Sequence, residues 1–214
     1  KRKMWLCDPT PACTVAGESI PAMSIDDTYR YLGIQVGPTG SPTGVEAKLQ
    51  SALDSLTRAP LKPHQRLFFL STNVIPSLLH ELVLADCTRG SLRKLDIKIR
   101  GAVRSWTKLP HDTPLGTFHA DVRDGGMGIR SLEHSIPQFK VRRLTRMLGA
   151  SDPVVRDVIT HEDFKHKLER WSKPSKIKGR PMDTGPVRRD VWAADLYASI
   201  DGKGLKSASE VPYV

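Results

Sequence analysis

The stretch RGSLRKLDIKIRGAVRSWTKLP, residues Arg89 to Pro110, decides how the rest of the chain is read. At about 100° per residue, Leu92, Leu95, Ile99, Val103 and Trp106 fall within one arc of roughly 80°. Arg93, Arg100, Arg104 and Lys108 form a second arc, roughly a quarter-turn or more away. One side therefore demands a core, and the other carries cations in a row. Gly90 and Pro110 bracket the segment, and Thr88 or Ser91 is placed to cap its start. A cationic row with a firm apolar back suits tracking a phosphate backbone, because successive charges meet successive phosphates. A solvated basic face without a partner has the same pattern, so this helix alone leaves both readings open.

The placement of charge says more than its total. The 214 residues carry a net charge of +10, enough chain for one or two domains with a sizeable core. Residues 1–40 hold four Lys/Arg against four Asp/Glu, residues 41–150 seventeen against nine, and residues 151–214 twelve against ten. A polyanion is therefore expected on the middle of the chain. Cys7, Cys13 and Cys87 make no even framework and lack the ligand pairs of a zinc site, which points to reduced intracellular thiols. The apolar run from Leu67 to Ala85 is broken by Ser71, Thr72, Asn73, Pro76, His80 and Glu81, so no membrane span is expected there. The chain opens on Lys1 in what reads as mid-fold, as a piece of something longer.

Local patterns predict a mainly α protein with a short β-hairpin or strand region at its N-terminus. Thr14-Val15 and Ile20 flank a turn at Ala16–Ser19, and Tyr29 to Val36 alternates like a half-buried strand. Gly37 to Pro42 marks a module boundary. Thr43 and Glu46 have capping-box spacing for a first helix through Leu56. Pro63 suits a first helical position for a second, which Pro76 kinks or divides. Pro137 is expected to open a later helix, with Phe139, Leu144, Met147 and Leu148 inward and Lys140, Arg142, Arg143 and Arg146 elsewhere. Lys173 to Pro181 reads as a basic, proline-rich linker, and Val187 to Ser199 as a last helix.

No set of side chains builds a complete active site. Asp26-Asp27 precedes Tyr29 in a loop-like stretch without a third carboxylate, so no metal site is assigned. His119 near Asp121 and Asp124 has no nucleophile beside it, and Gly125-Gly126 accounts for that stretch as backbone geometry. Binding remains. Arg58 closes the first helix, while Lys62, Gln65 and Arg66 lie at the start of the second, whose amino end favours anions. With Arg93, Arg100, Arg104 and Lys108 they are expected to line two sides of a groove for a duplex.

Several strings resemble non-LTR retrotransposon reverse transcriptases of the class that inserts site-specifically into ribosomal RNA genes. Tyr31-Leu32-Gly33-Ile34 resembles the strand that ends their palm, and Arg58 to Leu67, RAPLKPHQRL, resembles a segment of their thumb. Ile75-Pro76, Leu95 to Arg100, Leu109-Pro110, His119-Ala120, Asp124 to Gly126, Ile136-Pro137 and Ala198 to Gly202 add to the likeness. The resemblance implies residues 1–40 as the palm end, 41–150 as a helical thumb bundle and 151–214 as the start of a helical linker. It implies that Tyr31, Leu32 and Gly33 help position the primer end. It also implies target-primed reverse transcription in the nucleus, with RNA template, DNA primer and chromosomal target DNA as partners, together with the remaining polymerase and endonuclease domains. Mg²⁺ would belong to catalytic aspartates of an upstream palm, with no cofactor in these 214 residues and no polymerisation by them alone. Two rival classes fit the residues themselves. One is a stand-alone basic helical RNA-binding or splicing-accessory module; the other is an interaction scaffold whose basic surface serves only solubility.

Overall fold

The computed structural model describes residues 14–15, 17–19, 27–31, 34–37, 44–173, 175–177, 180–182 and 187–201. The chain divides into two units, Lys1–Pro42 and Thr43–Val214. The fold is mainly α, with short strand pairs at the N-terminal end as expected.

In the first unit, β1 (Thr14–Val15) pairs antiparallel with β2 (Glu18–Ser19). Gly17 takes φ 85°, the left-handed backbone that a tight connection uses, so the return strand begins at Glu18 rather than at Ile20. The alternating Tyr29–Val36 stretch is not one strand but two, β3 (Tyr29–Tyr31) and β4 (Ile34–Val36). Their register sets Tyr29 against Val36, Arg30 against Gln35 and Tyr31 against Ile34. That pairing sorts polar with polar and apolar with apolar, which a continuous strand of these residues would not do.

The second unit is built on nine helices among the described residues, α1 to α9. The first four are α1 (Val45–Arg58), α2 (Pro63–Phe69), α3 (Ile75–Leu84) and α4 (Arg89–Thr107). After them come α5 (Leu115–His119), α6 (Leu132–Leu148), α7 (Pro153–Thr160), α8 (Glu162–Ser172) and α9 (Val187–Asp201). Leu49, Leu53, Leu70, Ile75, Leu78, Leu82, Leu92, Ile99, Val103, Phe118, Leu132 and Ile136 form one continuous core.

Gly44 rather than Thr43 stands before α1, with no side-chain cap, and Glu46 pairs instead with Lys98 on α4 at 2.7 Å. Starting the helix at Val45 puts Glu46 one position short of the capping-box spacing. Pro76 does not end the helical run, which passes from α2 to α3 just before it. A π-turn at Leu70–Val74 joins α2 to α3, and the Ile75 N–H reaches back to Leu70 O, absorbing the proline's missing donor. The resulting helix, Pro63–Leu84, spans 22 residues and holds an 18-residue window of mean hydropathy 1.5, which is long and apolar enough to cross a bilayer by those measures. Leu70, Ile75, Leu78 and Leu82 from it lie in the protein's own core, while Thr72, Asn73, Ser77 and His80 are exposed. The Lys173–Pro181 stretch also departs from expectation. β5 (Ser175–Ile177) and β6 (Arg180–Met182) pair antiparallel, with Pro181 opposite Lys176 in a two-stranded ribbon where every strand is an edge.

Two further departures arise from partners distant in the chain. α6 begins at Leu132, five residues before Pro137, because Asp96 of α4 supplies its cap. Lys140 does not face solvent. Its ammonium donates to Val83 O at 3.0 Å and Ala85 O at 2.6 Å, closing the C-terminus of α3, where a cation is favoured. Burial pulls its pKa below the ordinary lysine value. Leu148, expected to face inward, is 50% exposed.

Candidate nucleic-acid interface

Helix α4 carries the predicted two faces. Leu92, Leu95, Ile99, Val103 and Trp106 are all buried. Thr88 and Ser91 cap the start together: Thr88 Oγ1 accepts the Ser91 N–H at 3.1 Å, and Ser91 Oγ accepts the Thr88 N–H at 3.0 Å. Gly90 falls inside the helix rather than before it. The helix ends at Lys108, the one non-glycine residue with positive φ (57°) among the described residues, before Pro110.

On the opposite face Arg93 and Lys108 are exposed, and Arg100 and Arg104 are half-buried. The Arg104 guanidinium lies 5.0 Å over the Phe118 ring, which ties the stripe to α5. Burial pulls the Arg100 pKa down and nearby Asp96 pulls it up; an arginine stays cationic throughout. Glu133 lies electrostatically close to Arg89, Arg93 and Arg100, and burial raises its pKa. None of Arg93, Arg100, Arg104 or Lys108 closes an ion pair among the described residues, whereas Lys48 pairs with Glu81 and Lys98 with Glu46. The stripe keeps its positive charge.

The second expected cluster is more divided. Trp106 Nε1 donates to Thr57 Oγ1 at 2.9 Å, which brings the Arg58 end of α1 beside the Arg104–Lys108 end of α4. Arg58 and Lys62 are exposed. Gln65 instead caps α2, its Oε1 accepting the Lys62 N–H at 2.9 Å, so one donor at that helix end is already satisfied. Arg66 Nη2 donates to Ala59 O at 3.1 Å, and its Nε is buried without a hydrogen-bond partner. Both residues brace the α1–α2 connection. Tyr31 lies in β3, whereas Leu32 and Gly33 lie outside the described residues.

Several structural residues act on partners distant in sequence. The Asp96 carboxylate is buried and accepts Leu132 N–H at 2.8 Å, Glu133 N–H at 2.9 Å and Ser131 Oγ–H at 2.7 Å. Since Ser131 spends its hydrogen there, His134 Nδ1 donates to Ser131 Oγ at 2.8 Å. Desolvation raises the Asp96 pKa against these hydrogen bonds. Asp96, Glu133 and His134 converge closely enough for a metal ion, but the donors around Asp96 are those of a capped helix start, which attracts anions. The sequence clue was an acid on the margin of an apolar arc.

His119 is buried, and its Nδ1–H donates to Ile129 O at 2.8 Å. Asp121 caps a short 3-10 turn through the Arg123 N–H, Gly125 takes φ 86°, and a side chain at Gly126 would strike Ala120. That stretch is backbone geometry. Asp26 lies outside the described residues, and Asp27 is exposed. A further basic group, Arg142, Arg143 and Arg146, borders a groove of about 660 Å³ with His80 and Phe139.

No family model matches the chain. A mainly helical unit with a cationic helix face that closes no ion pair among the described residues is the architecture; its relatives include retrotransposon Pol polyproteins. The chain is 35% identical over 193 residues to the Pol polyprotein of the type-1 retrotransposable element R2 of Nasonia vitripennis, covering 90% of this chain and 18% of that protein. It is 36% identical over 196 residues to that of the type-2 element R2DM of Drosophila melanogaster, covering 90% and 18%. With the R2 protein of Bradysia coprophila the identity is 34% over 211 residues, covering 97% and 24%. The chain belongs to the non-LTR, R2-type reverse transcriptase family as a region of its polyprotein. It spans about a fifth of the length of these relatives.

Proposed function

We propose that residues 41–150 are the thumb of an R2-type RNA-directed DNA polymerase, gripping the template–primer duplex during target-primed reverse transcription. Residues 1–40 then end the palm and residues 151–214 begin the linker. The observation that carries this reading is the face of α4, where Arg93, Arg100, Arg104 and Lys108 remain without ion pairs while the opposite side is locked in the core. A thumb must hold an RNA–DNA hybrid without reading its sequence and still let it advance. Phosphate contacts do that, whereas base-edge bonds resist sliding. Arg58 and Lys62 extend the same positive surface, and Gln65 and Arg66 contribute by fixing the connector that presents them.

On this reading the fragment binds hybrid and polymerises nothing, because the Mg²⁺-holding aspartates belong to another part of the polypeptide, and the enzyme works in the nucleus on chromosomal DNA. Binding of a labelled RNA–DNA hybrid measured against salt tests it. Affinity should fall steeply between about 50 and 200 mM salt, as phosphate neutralisation requires. Salt-independent binding, no binding, or primer extension by these 214 residues would count against it.

A further inference from the structure

Two helical glycines answer to opposite constraints. Gly116 of α5 is pinned, because a methyl group there would lie 2.5 Å from the Leu196 backbone nitrogen and 2.7 Å from Trp192 O. Gly101, in the interior of α4, is not: a Cβ at that position meets nothing within 4 Å, and the residue is exposed. Glycine is among the poorest residues for a helix interior, so alanine would serve the fold better at this position. Its surroundings are unusual for a merely soluble face. One turn earlier stands Ile97, an apolar side chain 52% exposed. By helical spacing Arg93, Arg100 and Arg104 run along one side of this pair, and Lys94 and Lys98 lie toward the other. The middle of the cationic face is thus uncharged and, at Gly101, bare backbone.

A nucleic-acid backbone has a matching profile. Charged phosphates alternate with sugar rings that are uncharged and partly apolar. Cations on the flanks meet the former; a smooth, side-chain-free strip lets the latter come close. We infer that Gly101 is the point of closest approach between α4 and the bound duplex, where a sugar of the nucleic-acid backbone rests on the helix's own backbone beside Ile97. This rests on the duplex-binding reading above and adds to it a contact made by shape rather than by charge.

Gly101→Ala and Gly101→Leu, with Ser51→Leu on the exposed side of α1 as control, are measured for melting temperature and for affinity to a labelled RNA–DNA hybrid. Gly101→Ala should melt about 2–4 °C higher than the parent, since only helix propensity changes. Affinity should fall stepwise with side-chain size, about tenfold for Gly101→Leu, while Ser51→Leu binds as the parent does. Unchanged affinity of Gly101→Leu beside a parent that binds overturns the contact and leaves the duplex grip standing. A lower melting temperature for Gly101→Ala also overturns it, because the glycine would then serve the fold. A parent that does not bind removes both.

Discussion

The Asp96 carboxylate accepts the Leu132 backbone N–H at 2.8 Å, so a side chain thirty-six positions earlier fixes where α6 begins. Asp96 sits on the same helix as the cationic stripe, two turns of which flank it, and this bond holds α4 and α6 in one frame. Asp96→Ala strips the cap from two N–H groups and leaves the Ser131 hydroxyl without its acceptor. The expected loss is about 2–4 kcal/mol in urea unfolding. Ser131→Ala removes the Oγ bonds to Asp96 and His134 but leaves both backbone caps in place, and should cost less, about 1–2 kcal/mol. Equal, small costs for both would show that the cap lies elsewhere.

Helix α9 docks on α5 through contacts that tolerate no extra atom. Asp195 Oδ2 accepts the Gly116 N–H at 2.9 Å, and the Trp192 ring lies 4.8 Å from His119. Gly116→Ala should push α9 away, at a cost of about 1–3 kcal/mol, with faster hydrogen exchange across residues 187–201. Exchange unchanged in that helix would contradict the docking.

Much of this was legible where the cause is local, and little where it is not. The α4 period, its cap and its stop are all written within Thr88–Pro110, and the structure reproduces them. The start of α6 and the burial of Lys140 depend on residues far away in the chain, so Pro137 and a lysine among arginines were read by their usual habits. In the candidate site the charge row was readable from spacing. The bracing roles of Gln65 and Arg66 were not, because they follow from the bend at Ala59–Lys62.

Acid should loosen the molecule through His119. Burial pushes its pKa from 6.5 down to about 4. Between those values the unfolded chain binds the proton and the folded one does not, so stability is complete above about pH 6.5 and falls as pH drops toward 4. The full effect is at most about 3 kcal/mol. Melting curves across that range should slope less for His119→Gln than for the parent; parallel slopes would mean that this imidazole titrates normally.

Lys108 combines a charge with a strained backbone, and the two can be separated. Its φ of 57° favours glycine, so Lys108→Gly should gain up to about 1 kcal/mol while weakening hybrid binding. Calorimetry and binding on the same preparation read both signs. A gain in stability with unchanged affinity would exclude the Lys108 ammonium from the interface.

The most direct measurement compares two triple variants for affinity to an RNA–DNA hybrid across salt concentrations. Arg93→Gln/Arg100→Gln/Arg104→Gln neutralises the α4 face, and Arg142→Gln/Arg143→Gln/Arg146→Gln removes the same charge from the groove beside α6. The α4 variant should bind far more weakly, with its log–log salt slope reduced by about 2–3, while the α6 variant keeps the parent's slope. Equal losses in the two, or none in the first, would contradict a grip centred on α4.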